Sequence, residues 1–493
     1  MKNNNIVKNF IYQSGYQLLI SILPFITSPY IARVLGAEKI GIFSYSHSVI
    51  KYFILIANLG ISSYGNRTIA RVRDSEEELN KTFSSLLILH SALSIISLLA
   101  YGIYIYLFVE EYRLICLIQA FYLVGTLLDI SWFYFGLEKF KLTVTRDSVI
   151  KIITVVAIFI FVKSEGDLWK YTLIMALGTC ISQSIMWVFL KKYVSIVLVS
   201  LKDILAHIRP LLMLFGATLA LTVLNYTDQI MLGKMSSMND LGFYSNAYKM
   251  IEFPVGFITA LGTVMLPKIS SLIGKNNSNL VKMYIQNSMR FSLLMSSALV
   301  FGVAGISKEF SVIFWGNEFE ICGLLMQVLS ISIIFISWNN IIRTQYLIPN
   351  EMDKIYLIAV GMGAISNVIV NFICIPKLGA IGACIGTIIG YIVICFCQTF
   401  PVRQKLPIYK YVRESSVYYL AGFIMYIVIR LIGNYLGISA FTIVCQVGVG
   451  IIIFVSITLI IAKITDDKFI MDIVTKTYQG ILNSKLKEKR ING

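Results

Sequence analysis

Six ionisable side chains lie within or beside long apolar stretches: His47, Lys51, Asp129, Asp228, Lys249 and Glu252. His47 and Lys51 are four residues apart, and Lys249 and Glu252 three apart, so each pair shares one helix face. A charge at the centre of a bilayer costs about 2.5–3.5 kcal/mol on insertion scales, so groups of this kind have a partner or a use. One reading is interhelical ion pairing, such as Lys51 with Glu252. The other is contact with a charged substrate, and His47, Lys51 and Lys249 point to an anion. Asp129 and Asp228 suit an ion or a proton, or a structural bond. Neutral polar residues accompany them. Gln13, Gln17, Ser21, Pro24 and Ser28 fall on one face of the first apolar stretch, and Thr218, Thr222, Asn225 and Gln229 on one face of the seventh. Many Ser and Thr side chains bond back to their own helix, so the amides are the stronger signal.

The elements that position these residues follow from composition. The 493-residue chain is 57% hydrophobic and only 14% charged, with a mean hydropathy of +0.77. A soluble domain carries about 25% charged residues. Runs of roughly 20 apolar residues cross a bilayer as helices, whereas barrel strands alternate over about ten. Such runs lie near 10–32, 40–62, 83–109, 114–137, 143–162, 171–190, 208–233, 242–266, 289–307, 321–346, 355–376, 379–400, 416–436 and 440–462. The pattern predicts an all-α integral membrane protein of about fourteen transmembrane helices. The start, Met1-Lys2-Asn3-Asn4-Asn5, and the two prolines of the first run predict a retained helix rather than a cleaved signal.

The basic residues orient the chain. With residue 1 inside, the inner loops and the span ends beside them hold 31 of the 42 Lys and Arg, and the outer ones hold 8. That asymmetry predicts both termini in the cytoplasm and a multi-pass protein of the cell membrane. The +16 net charge is then mostly topology, and no nucleic-acid partner is expected, because the basic residues are scattered through short loops. The loops leave no room for a soluble catalytic domain. The tail ends Lys485-Leu486-Lys487-Glu488-Lys489-Arg490, a solvated segment or a contact with anionic lipid heads.

An internal repeat organises the chain up to about residue 400. Gly41-Ile42-Phe43-Ser44 corresponds to Gly242-Phe243-Tyr244-Ser245 at an offset of 201. The stripe Ser44, Ser48, Lys51, Leu55, Asn58, Ser62 maps onto Ser245, Lys249, Glu252, Gly256, Thr259, Thr263. Heptad polarity alone can align two helices, but the flanking spans also correspond. Two pseudo-symmetric six-helix bundles are expected, residues 1–200 and 201–405, with two further helices over 406–465 and a basic tail over 466–493. Parallel repeats have their polar faces turned toward a shared cavity. Gly382, Gly386 and Gly390 give a small-residue face for close helix packing. Pro24, Pro29 and Pro254 are bending points or kinks held by neighbouring helices.

Several motifs resemble the Wzx-type polysaccharide repeat-unit flippases of bacteria, a branch of the superfamily that includes multidrug exporters and lipid II flippases. They are Tyr64-Gly65-Asn66-Arg67-Thr68-Ile69-Ala70-Arg71, Asp129-Ile130-Ser131-Trp132-Phe133-Tyr134-Phe135-Gly136-Leu137-Glu138, and Gly262-Thr263-Val264-Met265-Leu266-Pro267. The most specific are Arg343-Thr344-Gln345-Tyr346-Leu347-Ile348-Pro349 and Asn371 to Ala383. They span residues 1–400; the last two spans resemble the family in hydropathy alone. The resemblance implies a cargo of oligosaccharide on undecaprenyl pyrophosphate, moved from the inner to the outer leaflet for capsule or other surface polysaccharide. It implies membrane lipids and other polysaccharide assembly proteins as partners. Within it, Lys51 and Lys249 would meet the anionic head group, and Arg67 and Arg343 would capture it at the inner mouth.

Two other classes stay open. A multidrug exporter of the same superfamily would favour a carboxylate-rich cavity. A membrane-embedded polymerase or glycosyltransferase would need outer acids, and Glu309, Glu318 and Glu320 are the clustered ones available. No cofactor is expected. The eight cysteines form no CxxC pair, and three histidines, His47, His90 and His207, make a metal site improbable.

Overall fold

The computed structural model describes the backbone of residues 2–275, 277–467, 469–471 and 475, and the side chains of these apart from 2–18, 21, 217 and 263. Gln13, Gln17, Ser21, Thr263 and the basic tail from residue 476 therefore lie outside the described side chains. Among the described residues every regular element is helical. That is what a bilayer requires of an apolar chain, because a helix satisfies its backbone hydrogen bonds within itself.

Among the described residues, eleven helices are long and apolar enough to cross a membrane. A twelfth is counted if Leu201–Gly216 and Thr218–Met235, bent by 46°, make one span. This is fewer than the fourteen expected, for two visible reasons. The first two expected spans run on as one helix, α1 (Lys2–Asn58), with no polar loop between them. They are broken only at Gly36, whose φ of 72° and ψ of 173° leave the helical region where an L side chain is strained. The fifth, α6 (Phe140–Phe161), carries Lys141, Arg146, Asp147 and Lys151 and is too polar to qualify by composition.

The chain divides into two compact units. The first comprises residues 1–249, 314–321 and 360–390. It holds α1, α2 (Ile61–Val72), α3 (Glu76–Phe108), α4 (Arg113–Leu127), α5 (Ser131–Gly136), α6, α7 (Leu168–Val188), α8 (Leu201–Leu205), α9 (Ile208–Met235) and the start of α10 (Met238–Gly274). The helix starts follow local chemistry. Ser75 Oγ accepts from the Glu78 amide, and Glu76, Glu77 and Glu78 occupy the positive first turn of α3. The motifs at 64–71 and 129–138 prove to be packing partners. A Cβ on Gly65 would sit 2.7 Å from the Trp132 ring, and one on Gly136 would sit 2.6 Å from Ile69. Trp132 stacks on Phe83 at 5.6 Å inside a cluster with Phe133, Tyr134 and Leu86.

The second unit comprises residues 250–313, 322–359 and 391–493. It holds the rest of α10, α11 (Ser278–Trp315), α12 (Glu320–Ser330), α13 (Ser332–Ile342), α16 (Ile408–Leu436) and α17 (Ala440–Ile464). Its core gathers Ile285, Met289, Trp338, Ile341, Leu347 and Tyr411. Gly262 lies so close to α13 that a Cβ would be 2.1 Å from Asn340 Oδ1. Two further helices, α14 (Asp353–Leu378) and α15 (Ala380–Thr399), pass partly through the first unit. There Gly382, Gly386 and Gly390 meet Cys374, Asn371 and Asn367 at distances that a larger side chain would close. This is the close packing that the four-residue spacing predicts.

Candidate functional site

The polar faces of α1, α9 and α10 meet within the first unit. Gly41 and Gly242 bring the backbones together first. A Cβ on Gly41 would lie 1.8 Å from the Met238 carbonyl oxygen, and one on Gly242 would lie 2.0 Å from that of Ala37. Only glycine permits this approach at either place. Side chains continue the seam. Ser48 Oγ donates to Gln229 Oε1 at 3.0 Å, Ser28 Oγ lies 3.5 Å from Asn246 Oδ1, and the Tyr52 hydroxyl bonds the Thr227 hydroxyl. Trp315 Nε1 donates to Ser28 Oγ at 2.9 Å.

The two polar stripes change character along their length. Ser44, Ser48 and Ser245 are buried. Lys51 is half-buried, and Lys249, Glu252 and Gly256 are exposed. A Cβ on Gly256 would meet nothing within 4 Å. The second stripe is thus sealed at the glycine end and open beyond Lys249, whereas on the first Leu55 is buried again beyond Lys51 and Ser62 is exposed.

At that transition the structure gathers three of the residues predicted from sequence. The ammonium groups of Lys51 and Lys249 both lie within electrostatic reach of the His47 imidazole. His47 is held by Gln119, whose Oε1 is 3.4 Å from Nδ1, by a stacked Phe43 ring at 5.5 Å and by the edge of Tyr122 at 5.0 Å. Gln119 is itself buried and donates to Ser46 Oγ at 3.1 Å. Lys51 makes no ion pair among the described residues. Asn225 is half-buried on α9, and its carbonyl oxygen accepts from Gln229 Nε2 at 3.4 Å.

The remaining candidates have other surroundings. Arg67 is exposed on α2. In the second unit, Arg343 lies 3.3 Å from the Tyr356 hydroxyl, with its guanidinium 5.5 Å from that ring. Asp129 Oδ1 accepts from the Ser131 amide at 2.8 Å, at the first residue of α5. Asp228 is buried among hydroxyls. It accepts from the Tyr244 hydroxyl, from Thr387 Oγ1 at 3.2 Å and from the Gln229 amide at 2.8 Å. On α14, Asn371 Nδ2 donates to Asn367 Oδ1 at 3.2 Å, while Asn371 Oδ1 and Asn367 Nδ2 are buried without a partner. Gln119, Tyr244 and Thr387 were not singled out from sequence. Their one signal is a hydrogen-bonding group inside an apolar span. No cluster of metal-ligating residues occurs among the described residues.

Comparison with known proteins fits this arrangement. A family profile described as "Polysaccharide biosynthesis protein" matches residues 6–273. A curated relative from Shigella dysenteriae, named "Putative O-antigen transporter", is 28% identical over 398 residues, which cover 80% of this chain and 98% of the relative. Among solved structures, the lipid II flippase MurJ in an inward closed conformation superposes with a TM-score of 0.77 at 16% identity, covering 92% of this chain and 99% of that one. An inward-facing multidrug resistance transporter of the MATE family gives a TM-score of 0.61 at 17% identity over 80% of this chain and 94% of its own. The structural likenesses establish a shared fold.

Proposed function

Since the chain belongs to the polysaccharide biosynthesis protein family, we propose that it is a flippase for oligosaccharide repeat units carried on undecaprenyl pyrophosphate. It is a membrane transporter rather than an enzyme, and its cargo is a lipid-linked sugar. Sugar hydroxyls and a pyrophosphate cannot cross about 30 Å of hydrocarbon unaided. Hydroxyl and amide side chains such as Ser48, Asn225 and Gln229 replace the hydrogen bonds of water, Lys51 and Lys249 attract the pyrophosphate, and His47 stands beside them as a hydrogen-bonding group. The observation that carries this reading is that Lys51 and Lys249, one from each stripe, both lie within electrostatic reach of His47.

The proposed cycle is alternating access. The Gly41 and Gly242 seam closes the outer side, and the exposed stretch beyond Lys249 receives cargo from the inner side. Arg67 and Arg343 attract the head group at the inner mouth, and both termini lie in the cytoplasm. An inside-negative potential favours outward movement of an anion by about 2.3 kcal/mol per charge per 100 mV, so no coupling ion is required. Asp228 is the group that would take an ion or a proton where coupling exists. The product feeds capsule or other surface polysaccharide, in company with other assembly proteins.

Two of the three acids that the catalytic reading needs are engaged in structural bonds. Glu309 is buried against Arg430 at 3.0 Å, and Glu318 accepts from the Ala37 amide at 3.2 Å. The drug-exporter reading needs a carboxylate where His47 and two lysines gather. The deciding experiment deletes the gene and follows lipid-linked repeat units. Accumulation on the cytoplasmic leaflet is expected. Normal surface polysaccharide in the deletion strain would defeat the proposal.

A further inference from the structure

On the first unit, α6 and α7 pack against each other. A Cβ on Gly178 would lie 2.6 Å from Thr154 Oγ1, so the helices meet there. A groove of about 720 Å³ lies beside the start of α6 and the end of α7. Its walls include Leu142, Val149, Ile185 and Phe189, and Lys139 and Lys141 stand at its mouth. Val149 is 49% exposed and Phe189 40%. This gives an apolar trough on the exposed face of the α6–α7 pair, ending in two exposed lysines.

The charges at the mouth do not cancel. Glu138 also borders the groove, but Arg73 donates to it at 2.7 Å. Arg146, buried in the wall, is matched by Asp147 at 2.7 Å and bonds Gln183 at 3.2 Å. Lys139 packs over the Tyr193 ring at 5.4 Å, and Lys141 makes no ion pair among the described residues. Two positive charges are left at one end of an apolar trough.

We propose that this groove holds one anionic glycerophospholipid of the cytoplasmic leaflet. Its phosphate rests on Lys139 and Lys141, and an acyl chain lies along Val149, Ile185 and Phe189. Charge complementarity selects the occupant. Anionic lipids of the cytoplasmic leaflet are drawn to basic residues at the membrane surface, whereas a zwitterionic head gains little from two lysines. A membrane-level trough is filled by acyl chain in any case, because water there would leave its hydrogen bonds unmade. The site is separate from the His47 cluster and does not depend on the cargo.

Native mass spectrometry of the purified full-length protein, equilibrated with equal phosphatidylglycerol and phosphatidylethanolamine, tests this. One phosphatidylglycerol is expected to stay bound, with retention falling about fivefold for each lysine lost in Lys139→Gln and Lys141→Gln. Lys139→Arg with Lys141→Arg should keep it, and Val149→Trp should displace it by filling the trough. All three positions are exposed, so folding is preserved; monodispersity on size exclusion checks this. If Val149→Trp fails that check, the lysine pairs decide. Equal retention of both lipids, or retention unchanged in the glutamine variants, would overturn the proposal. So would release of the lipid by millimolar inorganic pyrophosphate, which would mark a site for a free anion.

Discussion

Gly41 and Gly242 are 201 residues apart, and each rests on the carbonyl of the residue four before the other, Met238 and Ala37. The contact is reciprocal: 37 and 238 are also 201 apart, so each glycine meets the repeat equivalent of the residue that the other glycine meets. That is the signature of a two-fold related interface, here inside one chain. Ser28 and Gln229, another equivalent pair, repeat the relation, reaching Asn246 and Ser48 about one helical turn off register. Overpacking such a contact costs about 1–3 kcal/mol. Gly242→Ala should therefore weaken the closed outer side and raise its opening about tenfold or more. The check is Ser48→Cys in an otherwise cysteine-free protein, labelled from outside with an impermeant maleimide. Labelling no faster in the Gly242→Ala background would refute the assignment of this seam as the outer closure.

The lysines beside His47 give the second prediction. Lys51→Gln with Lys249→Gln removes both charges but leaves side chains of similar length, so insertion should persist. Export should fall by at least tenfold, since losing one charge-assisted bond removes more than about 1.4 kcal/mol of head-group attraction. Surface polysaccharide and membrane protein level are measured together. Undiminished polysaccharide at normal protein level would exclude a head-group role for these two residues. His47→Ala should have a smaller effect, because Gln119, Phe43 and Tyr122 hold the ring in place from outside the charge pair.

The spans, the repeat and the His47–Lys51 face were legible because each depends on spacing within one helix or on a fixed offset. Long-range partners were not. Gln119 meets His47 across 72 residues, and Thr387 meets Asp228 across 159, with no periodicity linking either pair. The motifs at 64–71 and 129–138 were visible, but not that Gly65 and Gly136 make them each other's packing surface. The span count fell short where the usual punctuation is missing. Gly36 breaks the helix without a separate loop, and α6 carries four charged residues within its apolar run.

Asp228 separates two roles by experiment. Tyr244 and Thr387 both donate to it, so Tyr244→Phe should cost about 1 kcal/mol of stability, the ordinary worth of a buried hydrogen bond. Asp228→Asn keeps the shape and accepts from Tyr244 and Thr387 through its one oxygen, leaving the Gln229 amide without this acceptor, but it cannot carry a proton or balance a cation. Transport in vesicles should therefore lose any response to an imposed proton or sodium gradient in Asp228→Asn and keep it in Tyr244→Phe. An unchanged gradient response in Asp228→Asn would assign the residue a structural role alone.

The last two helices are fastened to α11 by charge. Arg430 of α16 donates to Glu309 of α11 at 3.0 Å, and Gln446 of α17 donates to the same carboxylate at 3.3 Å. Gly433 makes room for Gln446 and Glu309, since a Cβ there would lie 2.5 Å from Gln446 Nε2 and from Glu309 Oε1. Toward the other end of α11, Arg290 bonds Asp467 and lies 3.7 Å from Glu414. Removing one partner of a buried pair strands the other charge, at a cost of about 3–5 kcal/mol, whereas replacing both with apolar residues can be nearly neutral. Glu309→Gln and Arg430→Met should each lower the thermal midpoint in detergent by several degrees, and the double variant by less than their sum. A strictly additive double variant would mean that the pair contributes no coupling, and that α16 and α17 are held by the apolar contacts of Met425, Ile429 and Phe454 instead.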